Sequence, residues 1–136
     1  MNDLLAQKAL TDTETVLVTD AGFAPAPVRD TLDLGSDATS EDLLGALTSN
    51  QIVRIDFPSF ADGRGFTLAR RLRQMGFTGH LRAKGHVLAD QYAMARRSGF
   101  DDVEIDRALA IRQPEDQWLD RANWQKHDLR SRLRAA

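Results

Sequence analysis

At 136 residues, with 42% hydrophobic and 28% charged residues, the chain has the composition of one ordinary globular domain long enough to bury a core. A formal net charge of −2 gives no global electrostatic pull toward nucleic acid or an anionic membrane, and no apolar run reaches the roughly eighteen residues of a membrane span. The absence of cysteine removes disulfides, thiolate catalysis and cysteine-ligated metal or iron–sulfur clusters.

Residues 1–14 are polar and weakly patterned. No basic region leads into an apolar stretch there, so no signal peptide is legible and a cytoplasmic location is the expectation. Thr15–Thr19 (TVLVT) predicts a short strand ended by Asp20. From Asp20 to Thr39 two prolines and two glycines read as loop, with room for an edge strand. Ser40 is a predicted N-cap, with Glu41 and Asp42 at the positive end of a helix running to about Ser49 on Leu43, Leu44 and Leu47.

Ile52–Phe57 is the next predicted strand, and its helix follows with Leu68, Leu72 and Met75 at helical spacing and Gly76 as the stop. Gly79–Lys84 predicts a strand ended by Gly85, then a helix from about Val87 to Ser98 closed by Gly99. Asp102–Asp106 is the last clear strand. Arg107–Arg112 follows, and beyond Pro114 comes a segment with Trp118 and Trp124, read as core or interface anchors. The charge-mixed tail predicts a frayed helix.

The βα rhythm, with connections long enough for right-handed crossovers, predicts a single α/β domain over 1–136. Its mainly parallel sheet has about four strands, its core motif region is 50–106, and a helical tail over 114–136 is peripheral. The strands alternate. Val53, Ile55 and Phe57 oppose Arg54 and Asp56; Leu81 and Ala83 oppose His80, Arg82 and Lys84; Val103 and Ile105 oppose Asp102, Glu104 and Asp106. Three strands in phase give one apolar face for helices and one charged face suited to cross-strand ion pairs. A sheet covered on one side is expected to curve like part of a (βα) barrel.

Ligands in parallel α/β sheets sit beyond the C-terminal strand ends. There the chain places Asp62-Gly63-Arg64-Gly65 immediately before a helix. Free helix N–H groups and the Arg64 guanidinium suit an oxyanion; equally, Asp62 stands where a cap would, and the turn has a purely structural reading. Arg82, Lys84 and His86 alternate at the next strand end, a cationic clamp unless the arginine and lysine pair with the acidic neighbouring strand. Gln91 falls within the apolar arc of Val87, Leu88, Met94 and Ala95, so its amide needs partners and is expected to tie down a nearby loop such as Pro58–Gly65. Asp90 lies at the edge of that arc, within reach of an arginine such as Arg64. The candidate anion site is therefore Asp62, Gly63, Arg64, Gly65, Arg82, Lys84, Asp90 and Gln91, with no catalytic residue assigned. His80, His86 and His127 lack metal spacing, no metal or cofactor is expected, and neither a dinucleotide fingerprint nor a nucleophile elbow is present.

Three runs carry a resemblance: FPSFADGRGFTLARRLR (Phe57–Arg73), GHLRAKGHVLADQ (Gly79–Gln91) and RRSGFDDVE (Arg96–Glu104). Together they resemble domain of unknown function 934, a bacterial family whose pattern reads FPxFxDGRGxSxAxxLR, GELRAxGxVLxDQ and RRCGFDxFE. The chain departs from it with Ser98 in place of cysteine, His80 in place of glutamate and His86 in place of an acidic residue. The resemblance implies genes lying beside assimilatory sulfite reductase. The expected role is an accessory protein of sulfate and sulfite reduction, with sulfite reductase as partner. A small sulfur-oxyanion-binding module or oxidoreductase using Asp62, Arg64, Arg82 and Lys84 is the alternative. A third reading makes the motifs structural and the polar face a surface for homo-oligomer formation.

Overall fold

A computed structural model of the chain describes residues 15–127. The described strands are β1 (Thr15–Thr19), β2 (Gly22–Pro25), β3 (Thr31–Leu34), β4 (Ile52–Phe57), β5 (Leu81–Gly85) and β6 (Asp102–Asp106). They form one mixed sheet in the order β2-β1-β6-β5-β4-β3. The β3–β6 half is parallel, whereas β1 pairs antiparallel with both β2 and β6. Six strands thus replace the expected four. The two extra ones come from the proline-containing segment, where Pro25 is tolerated because it ends an edge strand whose missing N–H leaves no ladder bond unmade.

Three crossovers carry α1 (Ser40–Leu47), α2 (Arg64–Gln74) and α3 (Tyr92–Ser98), the last entered through a 3-10 turn at Ala89–Gln91. Since β3 to β6 are consecutive both in the chain and in the sheet, right-handed crossovers put all three helices on one face. The core sits between that face and the helices. Val53, Ile55, Leu81, Ala83, Val103 and Ile105 are all fully buried, against Leu43, Ala46, Ala69, Leu72, Tyr92 and Ala95. The helices-on-one-face expectation and the in-phase alternation both hold. The sheet itself is open and not strongly curled, so the barrel-segment expectation fails: the hairpin ends the parallel run, and the edges β2 and β3 stay unpaired with each other.

Local boundaries moved for identifiable reasons. Thr39, not Ser40, caps α1, in a reciprocal box with Asp42. Leu44 points outward, 58% exposed, and Ala46 takes its place in the stripe. The predicted helix from Val87 begins late because Leu88 is still extended and its N–H is taken by the Gln91 side chain. Met94 is consequently exposed rather than inside. Beyond β6, α4 (Arg107–Arg112) and α5 (Glu115–Leu119) return the chain to the hairpin, where Glu115 accepts from the Phe23 N–H and so covers part of the β2 edge. Trp118 is a core anchor, 1% exposed, with its indole N–H on the Gln113 carbonyl. Trp124 is stacked under Arg96 at 4.8 Å and donates to Asp20. Asp20 also accepts from Tyr92 and Arg96; burial raises its pKa, but these donors outweigh burial and hold it below the ordinary value. Residues 1–14 and the tail beyond 127 lie outside the described residues.

One connection decides what happens on the other face. β2 and β3 lie at opposite edges, so the five residues 26–30 must carry the chain across the whole sheet. On a flat sheet the five inter-strand steps would amount to roughly 24 Å, slightly beyond the about 22 Å that six peptide steps from Pro25 to Thr31 can reach, so the twist of the sheet must bring the two strand ends nearer. The strap therefore runs close to full extension. Pro25 and Pro27 suit that extended form, and Ala26 to Arg29 share a cavity with Thr15, Arg54, Arg82 and Glu104, which places the strap over the charged face.

Candidate functional site

The loop leaving β4 is the first candidate, and it is built almost entirely from its own polar groups. Asp62 accepts from Arg64 Nε at 2.9 Å and Nη2 at 2.7 Å, and from the Arg64 backbone N–H at 3.1 Å. Those bonds hold the Asp62 carboxyl far below its ordinary pKa. Arg64 Nη2 also donates to Ser36, tying this loop to the one after β3. The two glycines differ in kind. A Cβ on Gly63 meets nothing closer than 3.9 Å, whereas one on Gly65 lands 2.5 Å from the Phe57 ring. Gly65 is thus where the first turn of α2 packs against the end of β4; Gly63 is not demanded by packing. The α2 N-cap is Gly63, which has no side chain to cap with; Asp62, one residue earlier, takes the N–H of the first helical residue, Arg64, as well as its guanidinium.

Gln91 does what its amide requires. Its Nε2 donates to the Phe60 carbonyl at 2.8 Å while its Oε1 accepts from the Leu88 N–H at 2.9 Å, which anchors the β4–α2 loop to the start of α3. Asp90 faces elsewhere and pairs with Arg121 at 2.9 Å, not with Arg64. Gly85, at φ +119°, lets the end of β5 lie against Phe57: an added Cβ would sit 2.6 Å from the Phe57 carbonyl oxygen, which accepts from the His86 N–H. The result is a loop fixed at both ends that presents Phe60, 57% exposed, to solvent.

The charged sheet face is organised as a ladder. Asp33 on β3 accepts two bonds from Arg54 on β4, whose Nη1 reaches Glu104 on β6 at 3.1 Å. Glu104 also accepts from Thr15 at 2.7 Å. Arg82 on β5 gives Nε and Nη2 to Asp102 on β6 at 2.8 and 3.1 Å, and Asp102 further engages His80 at 2.9 Å. Arg82, Asp102 and Glu104 are each about 95% buried. Burial pushes the Asp102 carboxyl up, but the His80 and Arg82 hydrogen bonds prevail and hold it below its usual value. The Asp33 carboxyl is lowered chiefly by its hydrogen bonds from Arg54. The expectation that Arg82 pairs with the acidic neighbouring strand holds. Lys84 makes no ion pair among the described residues; it lines a cavity of about 240 Å³ with Asp33, Arg54 and Asp56.

The eight candidates therefore divide into three places. Asp62, Gly63, Arg64 and Gly65 form the clamped loop with Gln91 beneath it, Arg82 lies in the buried ladder, and Lys84 stands at the sheet's C-terminal edge. Arg82 lines the cavity under the strap and Lys84 the one beside Asp33 and Arg54, Arg64 lines neither, and Asp90 belongs to none of these groups. Sequence reasoning passed over Asp33, Arg29 and Thr15, whose roles depend on which strands and strap lie beside the ladder, and over Phe60, whose exposure no periodicity signals. Among the described residues no group of three or more His, Asp or Glu could hold a metal ion, and no helix is long and apolar enough to cross a membrane.

A model of a bacterial family of unknown function, DUF934, matches residues 31–131. No curated protein and no solved structure matches the chain.

Proposed function

The chain belongs to the bacterial family of unknown function DUF934, and on that footing we propose that it is an accessory protein of assimilatory sulfate and sulfite reduction that docks on sulfite reductase. The partner comes from the gene neighbourhood that the family resemblance implies. The observation that supports docking is the Pro58–Gly65 loop. Its aromatic tip, Phe60, is 57% exposed, while the loop backbone is held by Gln91 and the Asp62–Arg64 clamp. An exposed aromatic on a pre-organised loop is an economical docking group, because little ordering entropy remains to be lost on binding. The clamp and the amide are then the machinery that holds the epitope.

Co-expression with the sulfite reductase holoenzyme followed by size-exclusion chromatography tests this reading. Co-elution is expected for the wild type and for Met94→Asp, a change at an exposed apolar residue on α3, and is expected to be lost in Phe60→Asp. Independent elution of the wild type, with reductase activity the same in its presence and absence, would sink the proposal.

A further inference from the structure

The cavity beneath the strap is not part of the docking loop, and its chemistry is distinct. It is a solvent-open cavity of about 240 Å³, lined by Ala26, Pro27, Val28, Arg29 and Thr31 from the strap side and by Thr15, Arg54, Arg82 and Glu104 from the sheet. That is far more room than one water needs, which is roughly 10–15 Å³ of probe-occupied space. Three of the lining side chains are arginines and one is a glutamate.

Their hydrogen-bonding capacity is unequally used. Arg54 is spent on Asp33 through Nε and Nη2 and on Glu104 through Nη1. Glu104 is spent on Arg54 through both oxygens and on Thr15 through Oε2, so its charge is already met. Arg82 is different. Its Nε and Nη2 serve Asp102, but Nη1 makes no hydrogen bond among the described residues and only a 3.7 Å ion contact with Glu104, although the side chain is 5% exposed. Arg82 Nη1 is not among the fully buried polar atoms that lack a partner, so its unused N–H donors are open to the cavity that Arg82 lines. Arg29 in the strap is exposed and enters none of the ion pairs among the described residues. One fixed donor below and one uncommitted guanidinium above define complementary halves of an anion site.

We propose that this strap-roofed chamber binds a small oxyanion, carboxylate or sulfur oxyanion, between Arg82 Nη1 and Arg29. The two donors have different jobs. Arg82 is preorganised by Asp102 and sets the position of the anion, while Arg29 closes over it from the strap. A site formed this way admits only small anions, because the extended strap has no slack with which to widen it.

The test is titration of the full-length protein with sodium acetate, sulfate and sulfite separately at constant ionic strength, followed by amide chemical shifts. Saturable shifts centred on Thr15, Val28 and Arg29 are expected, with affinity falling at least fivefold in Arg29→Ala and unchanged in Met94→Ala, an exposed position on α3 outside the cavity. Arg82→Lys, checked for folding by circular dichroism, is expected to lose binding while keeping the charge. Saturation by acetate as well as by sulfate or sulfite assigns the oxyanion group common to all three as what is recognised; saturation by the sulfur oxyanions alone assigns those. Shifts that rise linearly or scatter over surface cations, or Arg29→Ala binding like wild type, would overturn the proposal. Loss of co-elution with sulfite reductase has no bearing on these outcomes, since the chamber and the Phe60 loop share no residue.

Discussion

The molecule holds the same chemical pair in two environments. Arg64 grips Asp62 through Nε and Nη2 at the loop, and Arg82 grips Asp102 through the same two nitrogens on the sheet. The distances are nearly equal, but the side chains are 61% and 15% exposed in the first pair and 5% and 7% in the second. Exposed pairs are screened and exchange freely with water; buried ones have surrendered hydration that only the partner replaces. The loop clamp therefore shapes a local turn, whereas the sheet pair is a condition for burying the charged face at all. Bond geometry alone does not rank interactions. Their solvent does.

The largest expected effect breaks the buried member. Asp102→Asn removes the carboxylate hydrogen-bonded to buried Arg82, leaving only the 3.7 Å contact with Glu104, and is expected to cost about 3–5 kcal/mol in chemical denaturation. The same carboxylate carries a pH signature. Because its folded pKa lies below the ordinary 3.8, the stability it contributes is present above that value and lost as pH falls through the folded one. Unfolding free energy is thus expected to decline from about pH 4 downward, and the decline to be shallower in Asp102→Asn. A parallel decline in both proteins would remove Asp102 from the account.

Next in size is a contrast inside the motif itself. Gly65→Ala drives a methyl into the Phe57 ring, with an expected cost of about 1–3 kcal/mol, while Gly63→Ala has space and is expected to change stability by less than about 0.5 kcal/mol. Equal costs would show that the loop tolerates neither change for reasons other than packing. Gln91→Ala removes two hydrogen bonds and is expected to cost about 0.5–1.5 kcal/mol for each, with faster amide exchange at Leu88 as the local readout. Arg64→Ala comes last. Its thermal midpoint is expected to match wild type within error, and a loss comparable to that of Asp102→Asn would erase the distinction between the two pairs.

Reading from the chain alone went furthest where one residue's environment is decided by its immediate neighbours. The strand over Asp102–Asp106 and the left-handed stops at Gly76 and Gly99 stand where the residues predict them. Gln91 anchors the loop as its place in the apolar arc predicts, because an amide set among apolar residues needs partners even when, as here, it is only half-buried. Lys84 and Arg82 looked alike in sequence, two cations at alternate positions on one strand. Only the neighbouring strands separate them, placing Asp102 against Arg82 and leaving Lys84 beside a cavity. Asp90 failed as a partner for Arg64 because the chain brings Arg121 closer.

The first feature legible in the residues, an alternation of apolar and charged positions in three consecutive strands, determined that the sheet would have one face for helices and one for ion pairs. A period of two leaves no other outcome. What the residues did not determine is what lies on the charged face. That depends on strand order: β2 and β3 occupy opposite edges, so a connection that looked like ordinary proline-bearing loop becomes a strap across Arg54, Arg82 and Glu104. Periodicity is a property of adjacent residues, whereas the order of strands is set by packing among segments far apart in the chain.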